Sequence, residues 1–331
     1  QGARGVYIDQ ALNVVYPADV SQDRPLDVFM AHMDVVFSDE TELPLRVEDG
    51  RIYCPGVGDD TACLVCLLLA GKYIARHVDS PSWREIRGED APGLLLVCNA
   101  GEEGLGNLKG VRKICEDYGG RIKSFCTFDS SLSSIVDRAV KVRTRGGHSY
   151  NDFGNDNAIA GLASLVGKLY KIQVPEGGKT TYNVGMISGG TSVNTIAQEA
   201  EMLYEFRSDK RENLEYMERQ FMEVLDRAKA EGTDVSFQVI GVRPCEGQVD
   251  PAQKQALTDW AHRVVEEMTG QAPKHHAGST DCNIPLSLGI PSVCVGSFRG
   301  AGAHTREEYV ETDSLEEGYK VAFGMIFGRR D

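Results

Sequence analysis

No apolar run in this chain reaches membrane-spanning length. The longest, Ala62 to Gly71, is broken by Lys72 and Arg76, short of the roughly 20 apolar residues that a bilayer core demands of a helix. Nor is there an excess of basic charge: 35 Lys and Arg stand against 49 Asp and Glu, a formal −14, which speaks against nucleic acid or an anionic membrane as a partner. There is no signal-like start, although the chain opens on Gln1 and not on Met. A disulfide framework is also missing. The nine cysteines are an odd number, and Cys63, Cys66, Cys98, Cys126 and Cys294 stand in apolar surroundings, as buried free thiols of a reducing compartment do. A cytoplasmic setting is therefore expected. Cys63-x-x-Cys66 has no second pair at zinc-ribbon spacing and lies in a helical apolar run, so packing is its expected role. The sequence shows no internal repeat or low-complexity tract.

What is present suffices for a large core: 331 residues, 41% hydrophobic and 25% charged, room for one large domain or two smaller ones. Over the first 130 residues strands and helices alternate. Leu26–Ala31 is a short apolar strand, Thr61–His77 has helical spacing, and Gly93–Asn99 is a continuous apolar run suited to a strand buried on both faces. A helix around Asn107–Tyr118 and a strand Ser124–Phe128 follow, and the order predicts a parallel sheet covered by helices. Ser80–Pro92, polar with two prolines, reads as a surface excursion. From about Ile135 the texture changes to a β-α-β-β-α-β order ending at Val242, the pattern of a ferredoxin-like unit. From Pro251 the alternating texture returns. The expected architecture is a discontinuous α/β catalytic domain with a mostly parallel sheet, 1–134 and 244–331, carrying an inserted α+β domain at 135–243.

Five short segments place metal-type ligands just beyond strand ends, where parallel sheets keep their active sites: Ala31-His32-Met33-Asp34, Gly58-Asp59-Asp60, Asn99 to Gly104, Phe128-Asp129 and Gly302-Ala303-His304-Thr305. In the first, the carboxylate of Asp34 can orient a neighbouring imidazole, or both residues can simply end a strand. Asp59-Asp60 opens a helix, where an N-cap and a carboxylate shared by two cations are both open readings. Glu102-Glu103 follows a buried strand, where bare charges are costly without partners or metal; one acid can bind metal while the other serves as general base. Asp129 and His304 gain weight only from the set, whose nitrogen and oxygen donors suit zinc.

In this order, the series HxD, GDD, GEEG, FD and GAH resembles the co-catalytic zinc aminopeptidase/deacylase family, which includes peptidase T, aminoacylase, succinyl-diaminopimelate desuccinylase and di-zinc glutamate carboxypeptidases. The resemblance runs from Val28 to Val310 and is nearest the peptidase T side. It implies two divalent metals, zinc with cobalt or manganese as alternatives, held by His32, Asp59, Glu103, Asp129 and His304, with Asp59 bridging. It implies that Asp34 orients His32 and that Glu102 is the base. It further implies a lid and dimerisation domain at 135–243, His148 as an oxyanion donor presented to a partner subunit, and Asn194 and Arg207 as contacts for a substrate carboxylate. Gly278-Ser279-Thr280-Asp281 fits a pocket loop. Thr61 stands where the family commonly has Lys, and Ser149 to Asp152 lack the usual proline. Three functions follow from these expectations: a di-metal aminopeptidase on short peptides, an N-acyl-amino-acid deacylase or carboxypeptidase with the same site, and a non-catalytic binding homologue.

Overall fold

The two apolar strands of the N-terminal third lie side by side. In the computed structural model, which describes residues 2–21, 23–37, 42–88, 90–129, 134–273 and 278–328, the strands Leu26–His32 and Gly93–Asn99 pair in parallel. Ile122–Phe128 joins Leu26–His32 in parallel on its other side, and Ser292–Val295 extends the sheet beyond it. Val14–Ala18 and Tyr7–Ile8 close the opposite edge antiparallel, giving six strands that are mostly parallel.

Alternation within each run explains why both faces are apolar. Phe29, Ala31, Leu94 and Leu96 share one core with residues of the helices Cys63–His77, Pro251–Thr269 and Ser314–Phe327, such as Leu67, Val264 and Met325. Val28, Met30, Leu95 and Val97 point the other way, onto Val111 and Ile114 of the helix Lys109–Tyr118 and onto Ile284. Each Val, Leu, Ile, Phe or Met side chain among these contributes about 1.5–3 kcal/mol when fully buried. The excursion expected over 80–92 contains a helix, Pro81–Arg87. Trp83 is buried there, and Arg87 donates to the Ile326 and Pro92 carbonyls and meets the buried Asp27 at 3.4 Å. Local polarity concealed an element that tertiary contacts stabilise.

A second, antiparallel sheet of the same unit runs Gly300–Ala301, Tyr309–Glu311, Arg51–Tyr53, Arg46–Glu48. Its first hairpin carries His304 in the connecting loop.

The chain divides into two compact units, 1–132 with 246–331, and 133–245. The second has a four-stranded antiparallel sheet in the order Thr180–Gly189, Glu199–Ser208, Ser134–Arg143, Asp234–Val242. Helices Ala158–Leu169 and Arg211–Ala230 cover one face through Leu162, Leu165, Tyr204, Phe206 and Phe221. Asn157 caps the first of these helices by accepting from the amides of Ile159 and Ala160. No helix among the described residues is long and apolar enough to cross a membrane.

Candidate metal centre

The carboxyl ends of the parallel strands deliver four of the ligand-type residues of the first unit. His32 is the last residue of its strand and is 1% exposed. Asp129 follows the strand that ends at Phe128, and Glu102 and Glu103 follow the strand that ends at Asn99. Between Gly56 and Cys63 the chain makes a tight turn before the helix begins, and the peptide bond between Asp59 and Asp60 is cis. Glycine is required at the entry: Gly56 has φ 76°, and a Cβ there would lie 2.3 Å from the Val35 side chain. Neither aspartate caps the helix, since no side-chain cap bond forms at Ala62.

Asp59 stands between the two histidines. Its Oδ1 is 3.0 Å from His32 Nε2 and its Oδ2 is 3.1 Å from His304 Nε2. His304 Nε2 is also 3.2 Å from Glu103 Oε1. Ligand atoms converge within 4.8 Å in three groups: His32, Asp59 and Asp129; His32, Glu102 and Glu103; Asp59, Glu103 and His304. The structure thus brings His32, Asp59, Glu102, Glu103, Asp129 and His304 together.

The electrostatics follow from crowding carboxylates around two imidazoles. Hydrogen bonds to Asp59 and then Glu103 push the His304 imidazole up to about 10. For His32, burial opposes the charged ring, but the Asp59 hydrogen bond and the charges of Asp60, Asp129 and Glu102 outweigh it and hold the ring well above its ordinary value. Burial also works against the Asp59 carboxylate, yet hydrogen bonds from His304 and His32 win and hold it well below the usual range. Even with both rings protonated, the four carboxylates of these groups leave them with an excess of two negative charges. Buried negative charge of this kind is stabilised by bound cations. The nitrogen and oxygen donor set also suits a divalent metal, so the residues present fit one.

Asp34 acts differently from the expectation that its carboxylate orients His32. The contact to His32 Nδ1 comes from the main-chain carbonyl of Asp34, at 2.9 Å. That bond leaves Nε2 as the ring atom facing Asp59. The Asp34 carboxylate instead accepts from the amides of Gly101, Glu102 and Glu103 at 2.8, 3.3 and 2.9 Å. It fixes the loop that carries the two acids.

The remaining expected site residues belong to the second unit. His148 and Asn194 are close there, because Gly147–His148 pairs with Thr195–Ile196 and the Ser149 amide donates to the Asn194 carbonyl at 3.0 Å. Arg207 lies on a sheet strand and pairs with Glu205 at 2.8 Å. In the first unit, Thr280 and Asp281 of the expected pocket loop are fully buried, and Asp281 accepts from the Asn99 side chain at 2.8 Å. Sequence reading missed Glu308, which is 2% exposed and accepts from the amides of Gly56, Gly58 and Asp59. Nothing in Arg306-Glu307-Glu308-Tyr309 separates it from a surface acid.

Residues 28–327 match Peptidase_M20, described as peptidase family M20/M25/M40. The acetylornithine deacetylase of Myxococcus xanthus is 25% identical over 291 residues, covering 82% of this chain and 71% of that protein. A succinyl-diaminopimelate desuccinylase of Xanthomonas campestris pv. campestris is 23% identical over 320 residues, covering 88% and 80%. Among solved structures, a tripeptidase of Staphylococcus aureus has the same fold with a TM-score of 0.69 at 21% identity, covering 97% of this chain and 87% of that one. The chain belongs to peptidase family M20/M25/M40 and is a metal-dependent hydrolase acting on amide bonds.

Proposed function

We propose that the chain is a peptidase T-like aminopeptidase that cleaves the amide bonds of short peptides with two divalent metal ions. The observation that carries the two-metal reading is the double placement of Asp59, one oxygen toward His32 and the other toward His304. A carboxylate so placed suits a pair of ions roughly 3.5–4 Å apart. His32, Asp59 and Asp129 would hold one ion, and Asp59, Glu103 and His304 the other. Zinc suits these donors best, with cobalt and manganese as alternatives. Once bound, the ions would polarise the scissile carbonyl and make the attacking water more acidic.

The chain's own residues do the rest. Glu102 takes a proton from the attacking water as its oxygen bonds to the carbonyl carbon, then gives that proton to the nitrogen as the C–N bond breaks. Asp34 keeps Glu102 in place through the loop amides. The His148 Nδ1 accepts from the amides of Tyr150 and Asn151 at 3.2 and 3.4 Å. In the neutral ring the proton is therefore on Nε2, the tautomer that can donate to a developing oxyanion. Asn194 and Arg207 complete the proposal as contacts for a substrate carboxylate, Arg207 exchanging its Glu205 partner for the substrate. A zinc-loaded, cytoplasmic homodimer assembled through 135–243 belongs to the same reading.

A deacylase is the second reading, favoured by the deacetylase and desuccinylase identities of the sequence relatives. The test is a panel of tripeptides, dipeptides and N-acetyl- and N-succinyl-amino acids with added zinc, cobalt or manganese. The aminopeptidase reading expects the highest kcat/KM on tripeptides with a free amino terminus. Preference for acyl amino acids overturns it in favour of deacylation.

A further inference from the structure

Each of the two loops that present the central carboxylates is held by a buried or part-buried acid bonded to three successive or near-successive amides. Asp34 does this for the Glu102-Glu103 loop. Glu308 does it for the turn that ends at Asp59. Its Oε2 accepts from the Gly56 amide at 2.6 Å, and its Oε1 accepts from the Gly58 and Asp59 amides at 2.9 and 2.8 Å. The turn is tight around this acid: a Cβ on Gly58 would lie 2.6 Å from the Phe298 ring and 3.1 Å from Glu308 Oε1.

Glu308 is itself fixed from both sides. Its carbonyl accepts from the Cys54 amide at 3.1 Å, and the next residues, Tyr309–Glu311, pair with Arg51–Tyr53. It also lies four residues beyond His304, in the hairpin begun by Gly300–Ala301. One short segment therefore supplies both His304 and the acid that fixes the carboxylate between the two histidines. We propose that Glu308 is a positioning residue for the metal pair: through three amide bonds it sets where Asp59 stands relative to His32 and His304. This rests on the reading that Asp59 binds metal.

Charge-assisted bonds from backbone amides to a buried carboxylate are strong and directional, and removing an outer partner of a ligand typically weakens metal binding by about 10- to 100-fold. Glu308→Gln keeps the size of the side chain but turns one acceptor into a donor facing an amide N–H. The experiment compares wild type, Glu308→Gln, Glu307→Gln and Asp59→Asn, each stripped and then titrated with zinc against a chromophoric chelator. Circular dichroism and thermal unfolding are recorded alongside. Glu308→Gln should fold and lose roughly 10- to 100-fold in zinc affinity, while the exposed neighbour variant Glu307→Gln stays at the wild-type value. A folded Glu308→Gln protein with wild-type affinity, while Asp59→Asn loses zinc, overturns the inference alone. Unchanged zinc binding in Asp59→Asn overturns the metal reading beneath it. If Glu308→Gln fails to fold, hydrogen exchange of the metal-free wild type decides. Protection of the Gly56, Gly58 and Asp59 amides supports the clamp, and exchange at the free-peptide rate refutes it.

Discussion

Replacing Asp34 by Asn separates two roles that this residue could have. If its carboxylate served only to orient His32, the change would weaken metal binding and leave kcat intact once the metal is saturating. In the structure the His32 contact is the Asp34 carbonyl, which any side chain leaves intact, and the carboxylate instead holds the Gly101, Glu102 and Glu103 amides. Asn retains one oxygen, which can stay on the Gly101 and Glu102 amides, while its NH2 group meets the Glu103 N–H. The bond lost is one to a charged acceptor at 2.9 Å, a cost of about 1.5–3 kcal/mol. Relaxation of that clash moves the Glu102 carboxylate, and a displacement of about 1 Å costs on the order of 100-fold in rate. The expected outcome is a kcat lower by about two orders of magnitude even at saturating metal, a reduced Tm, and a metal affinity lowered by roughly 10- to 100-fold as well, because the amide that loses its acceptor belongs to the proposed ligand Glu103. Chelator competition, unfolding curves and steady-state kinetics on the best substrate measure the three quantities. A kcat restored to the wild-type value once the metal is saturating would refute the hold of Asp34 on Glu102.

Glu102→Gln should cost at least about 100-fold in kcat, the usual contribution of a general base, and leave metal content near that of wild type, whereas Glu103→Gln should lose metal as well; reversed metal losses would exchange the two roles. In metal-stripped protein the His304 ring, raised to about 10 by Asp59 and Glu103, should remain protonated at pH 8, where a ring titrating near 6.5 is only about 3% charged. Its ion pairs then stabilise the stripped protein fully below about pH 6.5, and that contribution is lost as pH rises through about 10. An NMR titration of the ring with a midpoint near 6.5 would contradict the geometry. Mixing inactive Glu102→Gln and His148→Ala proteins under subunit exchange should restore activity if His148 serves the partner's site; no recovery after proven exchange would remove that arrangement.

Much of the fold was legible because burial on both faces writes itself as unbroken apolar runs. Gly93–Asn99 is such a run, Leu26–His32 is nearly one, interrupted by Asp27 and ended by His32, and both lie in the middle of the sheet. The helices Cys63–His77 and Lys109–Tyr118 were equally clear, close to the helical spacing over Thr61–His77 and around Asn107–Tyr118. Pro81–Arg87 was not, because its helix depends on Trp83 and Arg87 finding distant partners, which local composition does not reveal. His32, Glu102, Glu103 and Asp129 were visible because each stands at or just beyond the end of a parallel strand, whereas Asp59, in the turn before a helix, and His304, in a hairpin loop, were visible only as members of the series. The acids that hold the loops were not: Glu308 looks like surface in sequence, and it becomes buried only when its hairpin pairs with Arg51–Tyr53. The hold of the Asp34 carboxylate on the loop of Glu102 and Glu103 was hidden for a related reason. Its three amide donors are 67 to 69 residues away in sequence.

The central claim is that Asp59 stands between two ions that are both needed for turnover. The most direct measurement is to add zinc stepwise to fully stripped protein, following bound metal by elemental analysis and hydrolysis of the best substrate in the same samples. The account predicts that activity reaches its plateau at two ions per chain and that Asp59→Asn fails to hold the pair. Full activity at one ion per chain, or activity that survives complete removal of metal, would contradict it.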